Sequence, residues 1–103
     1  MVAIKWTEKA SLNLQAIFEY IAKDSKTYAT RYVKALISAT KRLEVMPLCG
    51  RIVPEFENPE LREVIYGNYR IIYRLIGEAD VEIIAVIHGS RDMKTLSREE
   101  WEL

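Results

Sequence analysis

Four arginines, Arg62, Arg70, Arg74 and Arg91, are the residues of this 103-residue sequence best suited to gripping an anion. A guanidinium presents a planar fork of donors that matches a carboxylate or a phosphate two bonds at a time. His88 is the only histidine, and its type alone has an unperturbed pKa near neutrality. With Glu55 or Glu63 as base, His88 as acid and Arg70 against the charged phosphate, a metal-free cleavage of RNA by its own 2′-hydroxyl can be assembled. The plainer assignment gives the arginines to ion pairs with Glu63, Glu82 and Asp92 and leaves His88 as a structural residue at a strand end. Metal-ligand spacing, a phosphate-binding glycine loop and a Ser/His/Asp arrangement are all missing, so neither a metal site nor a cofactor is expected. Cys49 is the only cysteine, which excludes an internal disulfide.

The elements that must position these groups follow from periodicity. Val2, Ile4 and Trp6 mark a short first strand, and Thr7 with Glu8 reads as a helix start. Ala10, Leu14, Ile17, Phe18 and Ile21 recur at helical spacing, which predicts a helix over about 8–23. A longer one follows over about 27–46, with Ala29, Tyr32, Val33, Leu36, Ala39, Thr40, Leu43 and Met46 along one stripe and Pro47 as its stop. The short connection makes an antiparallel hairpin. Three strands are expected near 61–66, 69–76 and 81–88, the first two joined by the tight Gly67-Asn68 turn. The proline-bearing stretch 47–60 reads as a crossover or a binding loop, and Ser97 to Glu100 as a capping box for a single helical turn. The order describes one α+β domain over 1–103, a helical hairpin packed on a mainly antiparallel sheet.

Register decides which groups meet. Pairing Tyr66 with Tyr69 sets Glu63 opposite Ile72 and Ile65 opposite Arg70, with Glu63 and Arg70 diagonal neighbours. Arg62 then faces the other way, opposite Tyr73. The Arg70 face, with Arg74, Glu63, Ile65 and Ile72, reads as a concave binding surface. If Ile76 pairs with Val81, His88 falls on the face away from Arg70; one residue more or fewer in that turn brings the two together.

Half of the residues are hydrophobic and 29% charged, with no net charge, which describes a folded globular chain. No apolar run reaches the roughly 20 residues needed to cross a bilayer, so a cytoplasmic protein is expected. Neutrality hides an asymmetry. Residues 1–50 hold 8 Lys+Arg against 4 Asp+Glu, and residues 51–103 hold 7 against 11. The first set contains six lysines and the second six arginines, so the second half reads as the recognition half.

Trp6, the Ala10, Leu14, Ile17 helix start, "GRIVPE", "LRE", "YRIIYR" and "VEIIAVIHGSRD" together resemble the RelE/ParE superfamily of type II toxin-antitoxin toxins, over almost the whole chain and in the right order. The resemblance implies a small α+β toxin neutralised by a cognate antitoxin, which is expected to cover the arginine face, with acidic side chains on Arg70 and Arg74, or the groove between hairpin and sheet, using an amphipathic helix or an added strand. It leaves two mechanisms open: RelE-like members cleave messenger RNA in the ribosome, and ParE-like members trap DNA gyrase on broken DNA. Arg70 and Arg91 resemble the arginines that hold the scissile phosphate in ribonuclease members, and Glu55 and His88 the acid and base positions of the YoeB-like branch. Leu61 and Glu63 stand where RelE-like members carry lysines, and the late tyrosine of that branch has no equivalent near Leu96 or Ser97. The long hairpin and the His88 to Asp92 ending resemble the ParE branch. A plasmid-stabilising gyrase inhibitor, without catalysis of its own, is therefore the favoured expectation, and a ribosome-dependent endoribonuclease the alternative.

Overall fold

The computed structural model describes residues 1–90. Its order is β1 (Ala3–Trp6), α1 (Glu8–Ala22), α2 (Lys26–Thr40), a 3-10 turn (Lys41–Glu44), β2 (Arg51–Ile52), β3 (Leu61–Tyr66), β4 (Tyr69–Ile76) and β5 (Asp80–His88). The five strands form one sheet in the order β1-β5-β4-β3-β2, with β1 parallel to β5 and the other neighbours antiparallel. This is the expected α+β architecture.

Both helices start on side-chain caps. Thr7 Oγ1 accepts the Ala10 N–H at 3.0 Å, and Ser25 Oγ accepts the Tyr28 N–H at 3.1 Å, which satisfies donors that have no partner inside the helix. Ala10 and Ile17 of α1 and Leu36 of α2 then pack with Leu43, Val64, Ile71, Tyr73, Ile83 and Val86 into the main core on one face of the sheet. The second helix is shorter than the apolar stripe suggests. Thr40 is buried and donates its hydroxyl to Ile37 O at 2.7 Å, and the chain tightens into the 3-10 turn that keeps Leu43 in the core. Met46 and Pro47 lie beyond the helix.

The stretch after Pro47 is bound to the sheet rather than merely crossing it. Arg51 pairs with Glu63 and Ile52 with Arg62 as a two-residue edge strand. Gly50 N donates to Tyr73 Oη at 3.0 Å, and Tyr73 Oη donates to Pro47 O at 2.7 Å. A Cβ at Gly50 would sit 2.6 Å from both Glu63 O and Tyr73 Oη, so only glycine lets the chain approach this closely.

The β3–β4 register is the expected one, from Tyr66 opposite Tyr69 to Leu61 opposite Arg74. The β4–β5 pair contains two offsets that cancel. Ile76 pairs with Asp80, one residue short of the Val81 partner, but the register shifts between Ile72 and Tyr73, so Ile83 faces Tyr73 and Ala85 faces Ile72. Ile84 is the extra residue of a β-bulge. The site is anchored from outside: Thr7 N–H donates to Ile83 O at 3.0 Å, and the Thr7 hydroxyl lies 3.4 Å from Ile84 O. His88 consequently ends opposite Tyr69, and Arg70 opposite Ile87.

Candidate functional site: the arginine face and its cleft

The alternation of β4 divides its side chains between two environments. Tyr69, Ile71 and Tyr73 face the helices, while Arg70, Ile72 and Arg74 face the other side of the sheet. That second face is not an open concave surface, contrary to the expectation from its mixed composition. Val53, Leu61, Ile72, Ile84, Ala85 and Ile87 form a second buried cluster, with Phe56 packed against it. The loop after β2 supplies the missing cover: Val53 and Phe56 join this cluster, and Glu55 reaches Arg70.

Arg70 is held from two sides. Its Nε donates to Glu63 Oε1 at 2.7 Å, while Nη1 and Nη2 donate to the two Glu55 oxygens at 2.7 and 2.8 Å. Its side chain is only 7% exposed, and that of Glu63 is fully buried. The Glu55 hydrogen bonds, set against desolvation and reinforced by Glu63, push the guanidinium pKa above its ordinary value, so the group is cationic throughout the accessible range. Arg51 closes the arrangement, its Nε donating to Glu63 Oε2. Two arginines and two carboxylates thus form a balanced network, which is how a buried charge becomes tolerable.

The other candidate arginines within the described residues are likewise engaged. Arg74 donates to Glu82 at 2.7 Å and keeps 24% of its side chain exposed. Its Nε is buried without a hydrogen-bond partner. Arg62, on the opposite face and across from Tyr73, donates to the carbonyls of Pro59, Leu48 and Gly50, so it fastens the mid-chain loop by its backbone. Arg91, Asp92 and the Ser97 to Glu100 capping box lie outside the described residues.

His88 lies on the helix side of the sheet. Its ring meets Tyr69 edge-on at 5.7 Å between centroids, and Nδ1 is 2.7 Å from the Ser90 hydroxyl. The strand ends nevertheless converge. Arg51, Glu55, Tyr69, Arg70, His88 and Ser90 line an open cleft of about 670 Å³ beside the Gly67-Asn68 turn. Arg51, Tyr69 and Ser90 are not among the site residues expected from the sequence, and of these Arg51 joins the charge network. A two-residue strand carries no periodicity, and its sole signal was a basic residue four positions ahead of Glu55. Among the described residues there is no group of three or more His, Cys, Asp or Glu side chains that could hold a metal, and no helix long and apolar enough to cross a membrane.

The same architecture recurs in solved toxin-antitoxin structures. The chain superposes on one from the chromosomal ParDE toxin-antitoxin system of P. aeruginosa with a TM-score of 0.70 and 24% identity, covering 85% of this chain and 96% of that one. A chain of the RelBE2 complex of Mycobacterium tuberculosis gives 0.63 and 22%, covering 84% and 96%. Both likenesses show a shared fold. In sequence, Toxin ParE1 of Mycobacterium tuberculosis is 29% identical over 65 residues, 63% of this chain and 65% of ParE1. The Sinorhizobium fredii protein Y4kP is 34% identical over 88 residues, covering 84% and 86% of the two chains. The model of the family described as the ParE toxin of the type II toxin-antitoxin system parDE matches residues 4–93, and the chain belongs to that family.

Proposed function

We propose that this toxin arrests growth by binding DNA gyrase and poisoning it on cleaved DNA, in the cytoplasm, and that a cognate antitoxin neutralises it. The observation that carries the reading is the pairing of Arg70. A ribonuclease needs that guanidinium for the scissile phosphate, yet its free edge is already spent on Glu55, the very carboxylate that would have to exchange protons. An inhibitor that works by binding makes no such demand. The antitoxin is inferred from the family and from the solved relatives, both of which come from toxin-antitoxin systems by name.

The ribonuclease alternative keeps one supporting observation, the shared cleft lined by Glu55, Arg70 and His88. In that reading Arg70 and Arg91 hold the phosphate of ribosome-bound messenger RNA while His88 and Glu55 exchange protons. A supercoiling and cleavage assay with purified gyrase and antitoxin-free toxin separates the two. Loss of supercoiling with accumulation of cleaved DNA is the expected result. Intact gyrase activity, with messenger RNA cut on ribosomes and the cutting abolished in His88→Ala, would replace this reading with the alternative.

A further inference from the structure

Each described arginine of the sheet has at least one internal partner, so the cations with no ion pair or hydrogen bond among the described residues lie elsewhere. Helix α2 and the turn after it carry Lys26, Arg31, Lys34, Lys41 and Arg42, and no acidic residue intervenes between Asp24 and Glu44. All five are exposed, and none enters an ion pair among the described residues. Helical geometry puts Arg31 and Lys34 on the outward half of α2, opposite the buried Ala29, Leu36 and Thr40, and Lys41, the C-cap, continues the row into the 3-10 turn. Thr27, Thr30 and Ser38 are exposed beside them. By contrast α1 mixes its signs, with Glu8, Lys9 and Glu19, and with Lys23 as its C-cap.

We propose that the outer face of α2 docks on the phosphate backbone of duplex DNA, through Arg31, Lys34 and Lys41 with the neighbouring hydroxyls. Cations interspersed with serine and threonine are the groups that contact phosphates in protein–DNA interfaces. From Arg31 to Lys41 the row runs about 15 Å at helical rise, the axial length over which one strand of B-DNA presents roughly four phosphates. A protein partner is disfavoured because the centre of the face holds no large apolar anchor; Ile37, 37% exposed, and Tyr28, 55% exposed, sit at its two rims. Single strands are disfavoured because unstacked bases need a series of aromatic platforms, and the face offers only Tyr28 at its edge, tilted against Tyr32 at 5.9 Å. The rest of the molecule shapes the encounter: the excess of four positive charges in residues 1–50 against four negative in 51–103 orients this face toward a polyanion.

The choice of DNA over duplex RNA rests on the gyrase reading, in which α2 would touch the DNA that the enzyme holds. The test is the anisotropy of a labelled 20-base-pair DNA titrated with the full chain at rising KCl, beside duplex RNA, single-stranded DNA and poly-glutamate competitors. Three phosphate contacts give a roughly 40-fold loss of affinity between 50 and 200 mM salt. Arg31→Ala/Lys34→Ala/Lys41→Ala, checked for an unchanged circular dichroism spectrum, should flatten that dependence; Lys34→Glu, expected to weaken binding several-fold, serves if the triple variant does not fold. Absence of duplex binding at 50 mM KCl, equal binding by the variants, or stronger competition by poly-glutamate, RNA or single strands overturns the assignment. A toxin that binds duplex DNA but leaves gyrase untouched refutes the gyrase reading and spares this surface; one that poisons gyrase without binding duplex does the reverse.

Discussion

The sheet and the second helix use positive charge in opposite ways. On β4, Arg70 sits almost out of solvent with each of its donor groups directed at a carboxylate. On α2, Lys34 and its neighbours stand in water without a counter-ion among the described residues. A charge that is buried must be matched inside the chain, because its desolvation is otherwise uncompensated; a charge that is exposed costs little and stays available. The arginines embedded in a strand therefore report on how the fold closes over itself. The less conspicuous lysines and arginine of the helix report on what the fold can meet.

The largest effect expected from this contrast is at Arg70. Arg70→Ala would leave Glu63 buried beside Glu55, with Arg51 as the remaining cation, and breaking such a pair costs about 3–5 kcal/mol. Urea denaturation would show the midpoint fall steeply. The double variant Arg70→Met/Glu63→Gln should recover much of it, since an unpaired charge costs more than an absent pair. Should Arg70→Ala unfold no more easily than the parent, the network is not part of the fold, and Arg70 returns as a candidate for a partner.

Next in size is Tyr73, which ties the same loop to the sheet without using charge. Tyr73→Phe strands the Gly50 N–H and the Pro47 carbonyl, at a cost of about 1–3 kcal/mol. Burial pushes the Tyr73 phenol up from its ordinary value, and burial also raises Tyr69 and Tyr32. In the unfolded chain these phenols ionise near pH 10. Above that pH the unfolded state releases protons that the folded state retains, so stability is whole below about pH 10 and is lost as the pH climbs toward the folded values. Denaturation midpoints from pH 8 to 11 should fall less steeply in Tyr73→Phe, with Tyr69 and Tyr32 leaving a residual slope.

What could be read from the sequence follows the range of the forces involved. Caps, apolar stripes and the Gly67-Asn68 turn are local, and they located both helices, the hairpin and the β3–β4 register. The Ile84 bulge lies against Thr7, 77 positions away, and no local signal marks it, so the sequence leaves the register of β5 with two answers. Its outcome combines the shorter turn of one alternative with the His88 placement of the other. The Arg70 face was legible as a cluster of charged residues but not as a closed one. Its closure comes from Glu55, on a loop whose edge strand is two residues long and leaves no pattern. The charge excess of the first half was visible, yet its lysines read as ordinary solvated surface until the sheet arginines proved to be occupied.

A smaller effect sharpens the boundary between the two regions. Arg74 is paired with Glu82, but 24% of its side chain remains exposed, which puts it between the buried Arg70 and the solvated Lys34. Glu82→Gln should lower stability by no more than about 1 kcal/mol, the range of partly solvated pairs, as measured by urea denaturation. A loss as large as that at Arg70 would mean that the buried Arg74 Nε, which has no hydrogen-bond partner, makes this pair energetically part of the interior.

The smallest effect should have the opposite sign. Arg31 and Lys34 lie three residues apart on one exposed helical face, where like charges repel weakly and opposite charges attract by a similar amount. Lys34→Glu would turn the repulsion into an attraction and raise the melting temperature by roughly 1–3 °C. High salt should narrow the difference between parent and variant by screening both interactions. A helix shaped by stability alone would already carry such an acid among its cations, as α1 does. If the substitution stabilises the chain while weakening its hold on duplex DNA, the basic face is retained at the expense of stability, which is the behaviour of a binding surface. If it destabilises the chain, Lys34 serves the fold, and the contrast between helix and sheet fails at its centre.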